Sequence, residues 1–139
     1  MDTNTLEYAN YLIERQKTFR AKVFQLPYQT HLRCLGLGKT LEIGCGAGRN
    51  LKTCSKESVG IDHNPLLVNA CKTAGLNSFT TQEWDEKGNS QKGSFDTLLI
   101  AHVAEHMNHS QFAAMLTHYT PYLKPGGKFL IICPQEKGY

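Results

Sequence analysis

Leu41-Glu42-Ile43-Gly44-Cys45-Gly46-Ala47-Gly48 is the stretch that decides the fold of this chain. Leu41 to Ile43 reads as a short buried strand, and the glycines at alternate positions read as a tight turn that runs on into a helix. Glycine lets the backbone turn sharply and lets a ligand come closer than any side chain would permit, while the helix beyond presents free N–H groups. The stretch therefore reads as a nucleotide-cofactor site. A dinucleotide fingerprint requires G-x-G-x-x-G, with its third glycine where Arg49 stands. E-x-G-x-G-x-G is found instead, which argues against NAD or FAD.

Outward from the turn, Ser58-Val59-Gly60-Ile61-Asp62 reads as the next strand. Its closing carboxylate falls where an α/β sheet places an acid to accept hydrogen bonds from two ribose hydroxyls. Glu42 stands two residues before the first glycine, and Leu123-Lys124-Pro125-Gly126-Gly127 precedes a last apolar strand. On these four features in this order, over roughly residues 38 to 134, the chain resembles the class I S-adenosylmethionine-dependent methyltransferases.

The rest of the pattern is an alternation of strands and helices. Leu6 to about Phe24 carries Leu12, Phe19 and Val23 at helical spacing, with Pro27 to end or bend the helix; it is read as an N-terminal lid. Strand Thr40 to Gly44 leads to a short helix from Arg49 to about Ser55. Strand Ser58 to Asp62 leads to a helix from Pro65 to Ala74, with Gly75 as its stop. Ser78 to Gln82 is a weaker strand, Trp84 to Ser94 a polar loop, and Phe95 to His102 a buried strand. Ser110 is read as the cap of a helix running to about Leu123, and Lys128 to Cys133 as the last strand.

Such alternation predicts a parallel sheet with helices on both faces and a ligand crevice at the carboxyl ends of the strands, after Ile43, Ile61, Gln82 and Ala101. The resemblance makes this a Rossmann-like three-layer α/β sandwich of strand order 3-2-1-4-5, which the family completes with an antiparallel hairpin. Only Gln135 to Tyr139 follow Pro134, too few for that hairpin. The expectation is a C-terminally truncated sequence, or a last strand whose open edge is covered by a partner such as a second copy.

The 139 residues are read as one domain, residues 1–37 forming the lid segment and 38–134 the cofactor-binding core. Net charge is +3. Arg15, Lys17, Arg20 and Lys22 sit at near-helical spacing, as a solvated helix face does, so nucleic acid is not the expected partner. Five cysteines, Cys34, Cys45, Cys54, Cys71 and Cys133, lack paired spacing, which points to a reducing, cytoplasmic setting. No apolar run approaches the roughly 20 residues that cross a bilayer.

The resemblance also implies roles. S-adenosylmethionine is the expected cofactor and S-adenosylhomocysteine its product. Backbone at Gly44, Cys45, Gly46 and Gly48 would pass under the methionine part, Glu42 would fix its ammonium, and Asp62 would hold the ribose hydroxyls. His63 and Asn64 follow Asp62 and either touch the adenine or ribose edge or, for Asn64, cap the next helix. Glu83 and Trp84 fall where relatives contact adenine; for Trp84, stacking and plain packing both remain open. Ala101 and His102 end the fourth strand under the methyl donor.

His102-Val103-Ala104-Glu105-His106 also spells a zinc-peptidase motif. That site needs both histidines on one helix face, whereas Leu98 to Ala101 puts His102 at a strand end, so no metal is expected. His106, with His102 second, is the candidate general base, and His109 is read as solvated. Cys45 has no base placed beside it by the sequence, so it reads as a packed side chain. Tyr8, Tyr11 and Tyr28 are candidates for the acceptor pocket, with core packing expected for at least two. A small-molecule acceptor fits the absence of a basic aromatic stripe. Two alternatives are a methyltransferase-like scaffold and an aminopropyl transferase, for which the carboxylates Glu83, Asp85 and Glu86 are too loosely placed.

Overall fold

Two helices open the computed structural model, which describes residues 5–134, the side chains of residues 19–22 and 24 excepted. They are α1 (Leu6–Lys17) and α2 (Phe19–Cys34). The single helix expected to end near Phe24 is in fact two, because Thr18 adopts an extended backbone at ψ 130°. Pro27 lies inside α2 and does not stop it. Proline costs a helix one N–H donor, but Pro27 and Val23, whose carbonyl loses that donor, are both exposed, where water can take its place.

The core alternates as the sequence predicts. Its elements are β1 (Thr40–Ile43), β2 (Val59–Asp62), α3 (Pro65–Thr73), β3 (Ser78–Thr80), α4 (Thr81–Lys87), β4 (Phe95–Ala101), α5 (His109–Tyr119) and β5 (Leu123–Ile132). All four strand pairings are parallel, and the order is β3-β2-β1-β4-β5. β1 and β2 are buried along their whole length, as strands covered on both faces must be. On one face, Leu41, Ile43, Ile61, Leu98 and Ile100 pack with Trp84, Tyr119 and Tyr122. On the other, Ala9 of α1, Ala47 and Leu67 of α3 form a smaller cluster.

Four local readings are corrected. Residues Arg49 to Ser55 form only one 3-10 turn, Leu51–Thr53. The loop expected from Trp84 is α4, which begins by ending β3 at Thr80: the Thr80 hydroxyl accepts the Glu83 N–H at 3.1 Å and the Glu83 carboxylate accepts the Thr80 N–H at 2.8 Å. This reciprocal cap satisfies two backbone donors that a helix start leaves free. Asn108, not Ser110, caps α5, with Gln111 returning the bond. β5 begins at Leu123 and ends at Ile132, with Cys133 beyond it, but its pairing jumps from Phe95↔Leu123 to Thr97↔Lys128. Asp96 anchors that bulge, accepting from Lys124 Nζ and from the Lys39 N–H, each at 2.8 Å.

β5 is the sheet's outer strand, with Phe129 and Ile131 40% and 42% exposed. In α1, Lys17 pairs with Glu14 and Arg15 donates to the Tyr11 hydroxyl. The Arg20 and Lys22 side chains of the predicted charged face lie outside the described residues. No described helix is long and apolar enough to cross a membrane.

Candidate functional site

The glycine turn is fastened to β2 from both ends. Gly44 and Cys45 N–H groups both donate to the Ile61 carbonyl, at 2.8 and 3.0 Å. Gly44, Gly46 and Gly48 all have positive φ, at 73°, 55° and 79°. Gly44 has a second reason to lack a side chain, since a Cβ there would fall on Val103 Cγ2. The turn thus lies directly against the loop after β4.

Asp62 closes the unit. Its Oδ2 accepts the Gly46 N–H at 2.9 Å, its Oδ1 accepts the Asn64 N–H at 2.9 Å, and His63 Nδ1 stands 3.6 Å from Oδ1. The carboxylate is 5% exposed, so two backbone donors hold it in one orientation while each oxygen keeps further acceptor capacity.

Glu42 is buried on the opposite side of β1 from Leu41 and Ile43. Its Oε1 accepts from Asn50 Nδ2 at 2.8 Å, and Oε2 has no hydrogen-bond partner among the described residues. Burial pushes this carboxyl up to about 8, with Asn50, Arg49 and the Leu51 amide opposing and Cys71 adding to the rise. A buried carboxylate oxygen with nothing to accept from is costly unless a cation or donor arrives. Two more buried polar atoms without a hydrogen-bond partner among the described residues, Asn50 Oδ1 and Tyr28 Oη, lie in the same neighbourhood. Arg49 stacks over the Tyr28 ring at 5.4 Å.

Helix α1 packs against the turn. Leu12 of α1 approaches Gly46, and Tyr8 packs with the Ala9, Ala47 and Leu67 cluster. Burial and then the Asp62 charge raise the Tyr8 phenol. Tyr11 is exposed and faces Arg15.

Ala101 is buried at the end of β4, and His102 turns the chain with φ 57°. For a residue with a Cβ that is a strained conformation. It is held there by the His102 N–H donating to the Ile132 carbonyl at 2.8 Å. A 3-10 turn, Ala104–His106, follows. Glu105 Oε1 stands 3.7 Å from His102 Nδ1 and 4.0 Å from His106 Nε2, so one carboxylate serves both imidazoles. His102 and His106 therefore occupy a strand end and a short turn, not one helix face. Among the described residues no three His, Cys, Asp or Glu side chains are grouped to hold a metal ion.

Two predicted ligand residues are withdrawn. Trp84 is 2% exposed and packs against Phe79, Phe95 and Tyr122, with ring centroids 5.2 to 6.1 Å apart, so it is core, bordering the cavity around Lys39 and not the glycine turn. Asn64 is 1% exposed and its side chain accepts the Leu66 N–H at 2.9 Å, the helix-capping alternative. Glu83 stays near the rim, engaged by the Thr80 cap and by Lys72 Nζ at 3.2 Å, both of which hold its carboxyl below the usual range. Two cavities of about 230 and 220 Å³ lie at the amino ends of the strands, around Lys39 and Lys124, away from the glycine turn. Asn50 and Val103 belong to the crevice but had no sequence signal of their own, since each is placed by packing across elements.

The comparisons with known proteins agree with this architecture. A family model described as a methyltransferase domain matches residues 41–129. No curated protein matches the chain. Among solved structures, an S-adenosylmethionine-dependent methyltransferase from Thermotoga maritima, described as a possible histamine N-methyltransferase, superposes with TM-score 0.65 at 21% identity, covering 89% of this chain and 58% of its own. A methyltransferase from Archaeoglobus fulgidus gives 0.61 at 23% identity over 87% and 57%. DhpI, solved as a complex with S-adenosylhomocysteine, gives 0.64 at 19% over 92% and 67%. The chain thus spans between about half and two thirds of the length of these structures. It belongs to the class I S-adenosylmethionine-dependent methyltransferases.

Proposed function

We propose that this chain binds S-adenosylmethionine at the glycine turn and transfers its methyl group to a small-molecule acceptor. The observation that carries the reading is the buried Glu42 carboxylate, whose Oε2 has no hydrogen-bond partner among the described residues behind a turn of three positive-φ glycines. An ammonium group is the complement such an oxygen lacks. Asp62, oriented by Gly46 and Asn64, has the remaining lone pairs to accept from ribose hydroxyls, and His63 borders it on the exposed side.

When bound, the cofactor supplies a methyl group made electrophilic by the sulfonium charge. The protein's task is then largely positioning, which can contribute roughly 7–11 kcal/mol in well-oriented reactions. The turn holds the donor against the loop after β4, where Val103 meets Gly44. His106, with His102 as the second choice, takes a proton from an acceptor that must lose one, and Glu105 stands within 4.0 Å of both rings. The neighbouring Cys71 thiol and then burial push the Cys45 thiol up, so it stays protonated and takes no part in the methyl transfer.

Calorimetric titration with S-adenosylmethionine and S-adenosylhomocysteine, alongside Asp62→Ala, tests the reading. Binding near the micromolar range, about 8 kcal/mol, that is lost in the variant is the expected result. A folded chain that binds neither ligand would favour a methyltransferase-like scaffold.

A further inference from the structure

Cys45 and Cys71 come from different elements, the glycine turn and α3, yet both are buried and both thiols point at one atom. Cys71 Sγ donates to the Gly46 carbonyl at 3.3 Å and Cys45 Sγ donates to the same oxygen at 3.7 Å. Each thiol also acts on the other, which pulls Cys71 down and pushes Cys45 up. Cys54 is only partly buried, and Cys34 and Cys133 are exposed. Gly46 is also the residue whose N–H orients Asp62. A dithiol is thus seated on the residue that links the glycine turn to the ribose-holding acid.

We propose that Cys45 and Cys71 are a reversible disulfide-forming pair, oxidised by a hydroperoxide, whose closure disorders the Gly46 peptide and weakens cofactor binding. The inference rests on the reading of the glycine turn as the cofactor site. One thiolate, Cys71 by its lower proton affinity, attacks the terminal oxygen of the hydroperoxide, forming a sulfenic acid and releasing water or an alcohol. Cys45 sulfur then displaces the sulfenic oxygen as a second water, and the S–S bond forms. Two thiols lose two protons and two electrons, and the O–O bond takes both. Joining the sulfurs removes both S–H donors from the Gly46 carbonyl and draws the turn towards α3. That part-buried carbonyl loses both donors, a cost relieved by a shift of Gly46, whose own N–H serves Asp62.

The test treats the reduced protein with hydrogen peroxide, maps disulfides by non-reducing peptide mass spectrometry, and titrates S-adenosylhomocysteine before oxidation, after it, and after dithiothreitol. The expected result is a Cys45–Cys71 linkage, an affinity weaker by about tenfold or more, and recovery on reduction. Cys71→Ser keeps a hydroxyl donor for Gly46 but cannot form the bond; it should bind after peroxide as it does before, with its folding checked by thermal melting. No linkage between the two cysteines, a linkage that leaves affinity unchanged, or an equal loss in Cys71→Ser overturns the proposal. A reduced protein that bound no S-adenosylhomocysteine would defeat the reading of the site instead, and the peptide map reports on the linkage in either case.

Discussion

The Gly46 N–H donates to Asp62 Oδ2 at 2.9 Å, which joins the glycine turn after β1 to the acid that ends β2. Asp62 also accepts from the Asn64 N–H through its other oxygen. It therefore holds the turn and the start of α3 at once. Asp62→Asn keeps the shape but replaces one acceptor with a donor, so one of these backbone donors loses its partner. The expected cost is about 1–3 kcal/mol in urea unfolding, together with weaker S-adenosylhomocysteine binding. Unchanged stability would mean that the clamp contributes nothing.

Glu42 makes stability depend on pH. Its carboxyl is raised to about 8 in the fold, against roughly 4.3 for an unfolded glutamate. Between those values the folded state holds a proton that the unfolded state has released. Its contribution to stability therefore falls as pH rises through that window and levels off above it, at about 1.4 kcal/mol per unit. Glu42→Gln should flatten this part of the curve, as read by urea unfolding between pH 5 and 8.5.

Ligand binding should show the opposite slope. An ammonium ligand favours ionised Glu42, so affinity for S-adenosylhomocysteine should rise with pH towards about 8. Binding at pH 7 should release a proton, detectable by calorimetry in buffers of different ionisation enthalpy. Glu42→Gln should bind weakly and release none. A wild-type affinity independent of pH would remove Glu42 from the site.

Gly44→Ala should be worse than an ordinary glycine substitution. Gly75 has φ 78° with open space around a would-be Cβ, so Gly75→Ala should cost only about 1–2 kcal/mol for the left-handed conformation. At Gly44 the same strain is joined by overlap with Val103. Combining Gly44→Ala with Val103→Ala should recover the difference, and a strictly additive double variant would rule out that contact.

Trp84 and His106 separate core from chemistry. Trp84→Phe should lower stability by about 1–3 kcal/mol through a cavity in the aromatic cluster while leaving S-adenosylhomocysteine affinity within about twofold. His106→Ala, 73% exposed at its side chain, should leave stability and affinity alone and reduce turnover of a proton-losing acceptor by about a hundredfold. Full turnover in that variant would assign the role elsewhere.

Signals confined to a few neighbouring residues were readable without a structure. The glycine turn, the acid at the end of β2, the proline start and glycine stop of α3, and the alternation behind the order 3-2-1-4-5 all rest on backbone demands met by the residue in place. α4 was also announced, by Thr80 and Glu83 at capping-box spacing, but the polar composition after Trp84 obscured it. Pro27 misled because its effect depends on whether the carbonyl it orphans faces water.

Tertiary structure alone decided which face each side chain meets. Glu42 is one residue from apolar Leu41 and Ile43, and the two-residue period of a strand says only that it points away from them. That it meets Asn50 and finds no partner for Oε2 among the described residues depends on how the turn folds back and how α2 packs near it. Trp84 became core and not a ligand platform because α4 lies against β2 and β3, and Cys45 met Cys71 because α3 crosses behind the turn. Local sequence sets backbone conformation through short-range sterics and hydrogen bonds. Burial and partnership come from contacts between distant segments, which only the assembled layers define.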